Sequence, residues 1–251
     1  KFILRISGLP KLNIFRRILW RIALKNFYLV TCPTESTYNY IRGLKIIEEN
    51  KIKILYDPVI EVLKIKKKIN QTNNFKFKNY FLAIGRLTKQ KNFIFLCKAF
   101  KQVVAKYPDY KLLIAGEGED EKKIKTFISK NNLKKNIFLI NYVDNIFPII
   151  RNAEACILSS LWEDPGFVII EAAFCRKAVF SSNCLTGPRE IITDDYNGFL
   201  FESNDIQNFL INFERLIKKM KNKKILLNNL KYIKRFTLFN HYKSLKELLL
   251  T

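Results

Sequence analysis

Two glutamates with seven residues between them, Glu163 and Glu171, flank the turn Asp164-Pro165-Gly166. The stretch from Leu158 to Ala173 reads as the end of a buried strand (Ala155 to Leu158), a polar turn, and a helix starting near Gly166. Pro165 and Gly166 together break any regular element ahead of that helix. A helix start leaves backbone N–H groups without partners and carries partial positive charge, so it suits a phosphate or a carboxylate. Two carboxylates beside it add acceptors for hydroxyls. A ligand with both hydroxyls and phosphates answers to that pair, which is the chemistry of a sugar nucleotide. Arg86 and Lys91 supply the matching cations, in the spacing Gly-Arg-x4-Lys after a predicted strand end. There their fixed charge would offset negative charge growing on a leaving diphosphate, in place of a metal.

The elements that must position these groups follow from periodicity. From Tyr80 onward, short apolar runs alternate with amphipathic stretches, the mark of a parallel α/β sheet with helices on both faces. Strands are predicted at 80–84, 111–115, 136–140, 155–158, 178–181 and, briefly, at Phe199 and Leu200. Helices are predicted at about 93–104, 119–130, 146–152, 167–175, 205–220 and from 223 onward. Ligands of such sheets lie beyond the carboxyl ends of the strands. Gly85, Gly116, Asn141 to Val143, Glu163 and Ser182 to Gly187 all fall there, so residues far apart in sequence should converge on one crevice. Tyr142 and Val143 are candidates to receive a base, and Gly166, Phe167 and Val168 would present backbone amides. Gly187 and Arg189 lie in a turn that could close over the ligand. Ser181-Ser182 has no evident His/Asp partner, and Asp194-Asp195 reads as a turn rather than a metal site.

Before residue 80 the pattern is a strand near 1–6, a helix over 14–25, a strand at 27–31, a helix from Pro33 to Arg42 and a strand at 51–56. Residues 61–79, rich in Lys and Asn, read as a linker. The expected division is thus 1–60, a linker at 61–79, a nucleotide-sugar-binding Rossmann-like domain at 80–235 and a C-terminal helix at 236–251. In the 14–25 helix, Ile14, Phe15, Ile18, Leu19 and Ile22 share one face, with Arg16, Arg17, Arg21 and Lys25 mostly elsewhere. That face could rest on anionic lipid. Packing on its own sheet is the commoner outcome and the preferred expectation.

Several motifs together resemble one family. Glu163-x7-Glu171 with Ala172, Gly85-Arg86-Leu87 with Lys91-Asn92, and Pro108-Asp109 leading to Leu112-Leu113-Ile114-Ala115-Gly116-Glu117-Gly118 occur in order. Gly187-Pro188-Arg189-Glu190-Ile191 and Asn197-Gly198-Phe199-Leu200 follow, so the set spans about residues 80 to 202. It is similar to the retaining glycosyltransferases of family 4, the glycosyl transferases group 1, of GT-B fold. The resemblance implies a nucleoside-diphosphate sugar donor, a UDP-sugar, with Glu171 on the ribose hydroxyls, Glu163 facing the sugar, and Arg86 and Lys91 on the diphosphate. It implies no metal, no resident cofactor, and a glycan or lipid-linked acceptor in cell-surface polysaccharide or lipopolysaccharide synthesis. Asp164-Pro165-Gly166 departs from the family's usual Gly-Phe-Gly or Gly-Phe-Pro. The family's acceptor-side histidine and glycine-rich loop have no counterpart here, since His241 is the one histidine. Residues 1–60 are therefore expected to be a remnant of the N-terminal acceptor-side Rossmann-like domain, in a chain that opens at Lys1 without a Met.

Composition bounds the rest. With 48% apolar residues and 21 Phe, a substantial core is available. No run of about eighteen uncharged apolar residues occurs, so a spanning helix is not expected. Cys32, Cys97, Cys156, Cys175 and Cys184 are scattered without a Cys-x-x-Cys pair, which points to buried reduced thiols in a cytoplasmic protein. The formal charge of +23 fits an anionic substrate, an anionic membrane surface on the inner face of the cell membrane, or simply a lysine-rich composition spread over helix surfaces. The competing readings are a GT-B-like epimerase or phosphorylase, and a basic module for nucleic acid or membrane; nucleic acid is the partner least expected.

Overall fold

The computed structural model describes residues 1–71 and 77–250; the 72–76 part of the expected linker, and Thr251 at the end of the expected C-terminal helix, lie outside the described residues. The chain opens with three parallel strands, β1 (Ile3–Arg5), β2 (Leu29–Cys32) and β3 (Ile52–Ile54), paired in that order. Helices α1 (Ile14–Leu24) and α2 (Glu35–Gly43) form the crossovers. Asn13 caps α1 by accepting from the Arg16 amide, and Thr34 caps α2 by accepting from Thr37.

The preferred expectation for α1 is overturned. Its wide apolar face does not pack on the sheet: Ile14, Phe15, Ile18, Leu19 and Ile22 are 54% to 77% exposed, while Leu24 is buried and Trp20 packs at the core edge. A helix follows whichever face its loops aim at the sheet, and here the loops present the narrower Trp20/Leu24 edge.

Residues Val62–Ile69, within the stretch read as linker, form a helix, α3, whose Ile65 is buried. The second sheet then follows: β4 (Tyr80–Ile84), α4 (Phe93–Lys106), β5 (Lys111–Ala115), α5 (Glu121–Lys130), β6 (Ile137–Ile140), α6 (Phe147–Asn152), β7 (Ala155–Leu158), α7 (Phe167–Phe174) and β8 (Ala178–Ser182). A short α8 (Pro188–Ile191), β9 (Phe199–Phe201), α9 (Ile206–Lys219), α10 (Lys223–Tyr232) and α11 (Leu238–Leu250) complete it. The six strands pair in the order β6-β5-β4-β7-β8-β9, all parallel. Such strands read as unbroken apolar runs because both sheet faces are covered. Alternate side chains serve the two faces: Phe81 and Ala83 join Phe100, Phe180, Phe209 and Phe213 on one, Tyr80 and Leu82 join Ile169 and Ile170 on the other. All five cysteines are buried and unpaired.

The two sheets are tied by polar contacts. The Glu190 carboxylate accepts from the Glu35 and Ser36 amides, each at 2.7 Å, closing the first turn of α2. Leu238 donates to the Ile60 carbonyl at 2.9 Å, and His241 Nδ1 donates to the Tyr56 carbonyl at 2.6 Å, so α11 returns to the first sheet.

Candidate functional site

In the order β6-β5-β4-β7-β8-β9, successive connections run outward in opposite directions from β4 and β7, which leaves a crevice beyond their carboxyl ends. The loops leaving these two strands are stitched together. Leu161 donates its amide to the Gln90 carbonyl at 2.8 Å, and Ser159 Oγ donates to the Lys91 carbonyl at 2.8 Å. Lys91 is thereby brought over the β7 turn. Its Nζ reaches Glu163 Oε1 at 2.5 Å, and Ser160 Oγ donates to the same oxygen at 2.5 Å. Thr186 Oγ1 donates to the Glu163 carbonyl. Glu163 is only 5% exposed, so its charge depends on Lys91 being there.

Beside this pair lies a cleft of about 570 Å³. Gly85, Ala115 and Gly116 form its floor. A Cβ on Gly116 would stand 2.0 Å from the Gly85 carbonyl oxygen, and Gly116 has φ +146°, so only glycine lets the β4 and β5 ends meet this closely. Arg86, Glu117, Tyr142, Val143 and Glu171 line the walls, joined by Lys68 from α3. Tyr142 is 70% exposed, and its amide donates to Glu117 Oε1 at 3.2 Å. Glu171 occupies the second turn of α7, and burial pushes its carboxyl up to about 7, with Lys68 pulling the other way. A carboxyl so placed accepts hydrogen bonds fully only when a ligand or neighbouring cation favours its ionised form.

Gly166 caps α7 in the left-handed region, φ +97°, with no side-chain cap, which leaves the first-turn amides of Phe167 and Val168 without a capping side chain. Of the residues singled out in the sequence, Gly85, Arg86, Gly116, Tyr142, Val143 and Glu171 thus share one cleft. Lys91 and Glu163 are paired at its side, Lys91 lying over Gly85 with its Cε 3.1 Å from where a Cβ there would be. Gly166, Phe167 and Val168 lie about one helical turn ahead of Glu171 and do not line the cleft. Arg189 does not close over the site: its Nε donates to Asn183 Oδ1 at 2.6 Å. Ser182 Oγ donates to the Ser160 carbonyl at 2.6 Å, a purely structural use.

Sequence reasoning missed Lys68, Asp144 and Ser160. Ser160, three residues before Glu163 and just past the strand, carried a local signal; Lys68, inside a lysine run, carried none. Among the described residues, no group of three or more His, Cys, Asp or Glu is placed to hold a metal ion. A larger surface groove of about 1180 Å³ between α4 and α5, lined in part by Lys89, Lys122, Lys123 and Lys130, shares no lining residue with the cleft.

Comparison with known proteins bears on this arrangement. A family model described as "Glycosyl transferases group 1" matches residues 64–235. An uncharacterised glycosyltransferase of Methanocaldococcus jannaschii is 35% identical over 211 residues, covering 78% of this chain and 52% of that protein. An Escherichia coli UDP-Gal:alpha-D-GlcNAc-diphosphoundecaprenol alpha-1,3-galactosyltransferase is 30% identical over 158 residues, covering 62% of this chain and 40% of its own. Staphylococcus aureus TarM, solved with UDP, fondaparinux and alpha-GlcNAc-glycerol, superposes with a TM-score of 0.82 at 20% identity, covering 99% of this chain and 50% of that one. The chain spans about half the length of the curated relatives it matches. The fold is that of the GT-B glycosyltransferases: parallel sheets flanked by helices.

Proposed function

Because this chain belongs to the glycosyl transferases group 1 family, we propose that its cleft binds a nucleoside-diphosphate sugar, a UDP-sugar, and that the whole protein transfers the sugar with retention to a glycan or lipid-linked acceptor. The observation that carries the reading is the meeting of Arg86 and Glu171 in one cleft at the sheet's switch point, with the Lys91–Glu163 pair beside it. Glu171 receives the ribose hydroxyls, and Tyr142 and Val143 receive the base. The diphosphate lies toward Arg86, Lys91 and the amides of Phe167 and Val168 at the start of α7. Glu163 orients hydroxyls of the sugar.

As the bond from sugar to phosphate loosens, negative charge grows on the leaving diphosphate. Arg86, Lys91 and the helix amides take it up without a divalent ion, and stabilise the separating charges more than the ground state. The Lys91–Glu163 pair fits this role: a lysine already desolvated and held by a carboxylate needs little reorganisation to reach an incoming phosphate. Residues 1–60 are read as part of the acceptor-side domain and 80–235 as the donor domain, with 61–79 between them and a closing C-terminal helix from 236. The relative named for a diphosphoundecaprenol-linked substrate supports a place in cell-surface glycan synthesis; a cytoplasmic location is part of the proposal.

Calorimetric titration with UDP tests the reading. Saturable binding is expected, falling about 10- to 100-fold in Arg86→Ala, the loss expected for one charge-assisted contact to phosphate. Arg86 is exposed, so this variant should fold normally. Binding that is absent, or indifferent to Arg86, would refute the assignment; product anomer determination on the whole protein decides retention.

A further inference from the structure

Helix α3 brings one lysine into the cleft and leaves its neighbours in water. In the run Lys66, Lys67, Lys68, the first two are exposed and Lys68 is half-buried. Its place is held from two sides. Ile65 is buried in the apolar cluster that contains Phe147 and Ile150 of α6. Asn145 Nδ2, in the loop before α6, donates to the Lys68 carbonyl at 2.9 Å and to Gln71 Oε1 at 2.7 Å. Arg151 Nη1, on α6, donates to Asn70 Oδ1 at 2.9 Å. A side chain whose backbone is already fixed at the cleft wall loses less freedom when a ligand arrives.

Lys68 and Glu171 line the same cleft without meeting. Among the described residues, neither side chain makes a hydrogen bond or an ion pair, whereas Lys91 and Glu163 beside them pair directly at 2.5 Å. The other charged groups near Glu171 do not take Lys68's part. Glu117 accepts from the Tyr142 amide, Asp144 is exposed and of the same sign, and Arg151 is turned to Asn70. Arg86 projects from the β4 end, toward the diphosphate. Burial pushes the thiols of Cys156 and Cys175 up, so both stay neutral. The Glu171 carboxyl itself stays up at about 7 with Lys68 only partly offsetting its burial, as befits a cation that stands off rather than in contact.

An ammonium only donates and a carboxylate only accepts, so the group that suits the space between them must do both. A phosphate would satisfy Lys68 and repel Glu171. A base carbonyl would accept from Lys68 and offer Glu171 nothing. A hydroxyl donates its proton to one and presents its lone pairs to the other. We propose that Lys68 and Glu171 hold the ribose hydroxyls of the nucleotide between them, which makes Lys68 a specificity residue for a ribonucleotide over its deoxy analogues. The assignment rests on the nucleotide reading above. Each charge strengthens the hydrogen bond made to the other, since the hydroxyl is polarised from both sides. A site built this way penalises a missing hydroxyl, because its two charged partners are then left facing an empty space.

Calorimetry of the 251-residue chain above neutral pH, with UDP and with its two deoxy analogues that each lack one ribose hydroxyl, tests this. The parent should prefer UDP to at least one analogue by about tenfold or more. Lys68→Met should weaken UDP about tenfold and that analogue less than about twofold, so the preference collapses. In a Glu171→Gln background the same change should cost UDP less than about threefold, because the two residues act through one ligand group. Lys67→Met, one residue away and exposed, should leave every affinity unchanged, which sets aside a general loss of positive charge. Equal weakening of UDP and both analogues by Lys68→Met would put Lys68 on the base or the phosphates and overturn the inference, as would an unchanged UDP affinity or a parent without preference. UDP binding that is absent, or indifferent to Arg86, would instead remove the nucleotide reading and this inference with it.

Discussion

Glu171→Gln should make the empty protein more stable above neutral pH and a weaker nucleotide binder. An unfolded Glu titrates near its ordinary 4.5, whereas burial in α7 holds Glu171 near about 7. Between those values the native chain keeps a proton that the unfolded chain has released, so stability falls as pH rises through the window, and the whole cost is present above it. The ceiling is about 3 kcal/mol, from about 1.4 kcal/mol per tenfold change in proton affinity. Water entering the open cleft lowers it to about 1–3 kcal/mol. At about pH 8, then, the Gln variant should melt several degrees higher, at about 2–4 °C per kcal/mol for a chain of this size. At about pH 4, where the carboxyl is mostly protonated in both the folded and the unfolded chain, the difference should shrink below about 0.5 kcal/mol.

Binding should move the other way. A carboxylate accepts from both ribose hydroxyls; an amide offers one oxygen, no charge, and a competing donor. Losing one such charge-assisted bond costs about 1.5–3 kcal/mol, so UDP affinity near pH 8 should drop about 10- to 100-fold. Parent affinity should itself weaken as pH falls below about 7, by at most about tenfold per pH unit, because the bound form needs the ionised carboxylate. Thermal unfolding and calorimetry at both pH values make the test. A Gln variant less stable than the parent at high pH would mean that the carboxylate already makes favourable contacts. One that binds UDP as the parent does would place the ribose elsewhere.

Lys91→Met should cost about 3–5 kcal/mol in chemical denaturation by leaving the buried Glu163 without its cation, and adding Glu163→Gln should recover most of that; costs that simply add would deny the coupling. Gly116→Ala should destabilise by about 2 kcal/mol or more and weaken UDP binding at least about tenfold, because its Cβ would collide with the Gly85 carbonyl on the cleft floor; parent-like affinity would show that the floor yields freely. Glu190→Ala should cost about 1–2 kcal/mol and speed hydrogen exchange at the Glu35 and Ser36 amides, and unchanged protection there would contradict the capping role.

What the sequence disclosed depended on how locally each feature is encoded. The strands Tyr80–Ile84 and Lys111–Ala115 match the apolar runs residue for residue, because a strand buried on both faces has no polar position to blur its limits. The convergence of Gly85, Gly116 and the 142–143 pair follows from the same rule, since each trails a parallel strand. Helix α3 was hidden by its lysines, whose long stems shield a single buried Ile65. Lys68 enters the cleft only through the packing of α3 beside α6, and no spacing announces that. For α1, the periodicity marked the single face of Ile14, Phe15, Ile18, Leu19 and Ile22 and passed over the narrower Trp20/Leu24 edge. That face was expected on the sheet, and the sheet takes the narrower edge instead.

The turn from Glu163 to Gly166 serves both sheets, which gives its departure from the usual family form a physical meaning. Glu163 turns inward to Lys91 and Ser160, beside the cleft. Its neighbour Asp164 turns the other way and accepts from the Gly8 amide of the first sheet's loop. Burial raises the Asp164 carboxyl above its ordinary value, with the Gly8 amide pulling the other way. A glycine at this position would offer neither sheet an acceptor. Pro165 and Gly166 then carry the chain directly into α7, which bears Glu171. Any shift of the first sheet against the second is therefore felt at the residue next to Glu163, three residues before the start of α7.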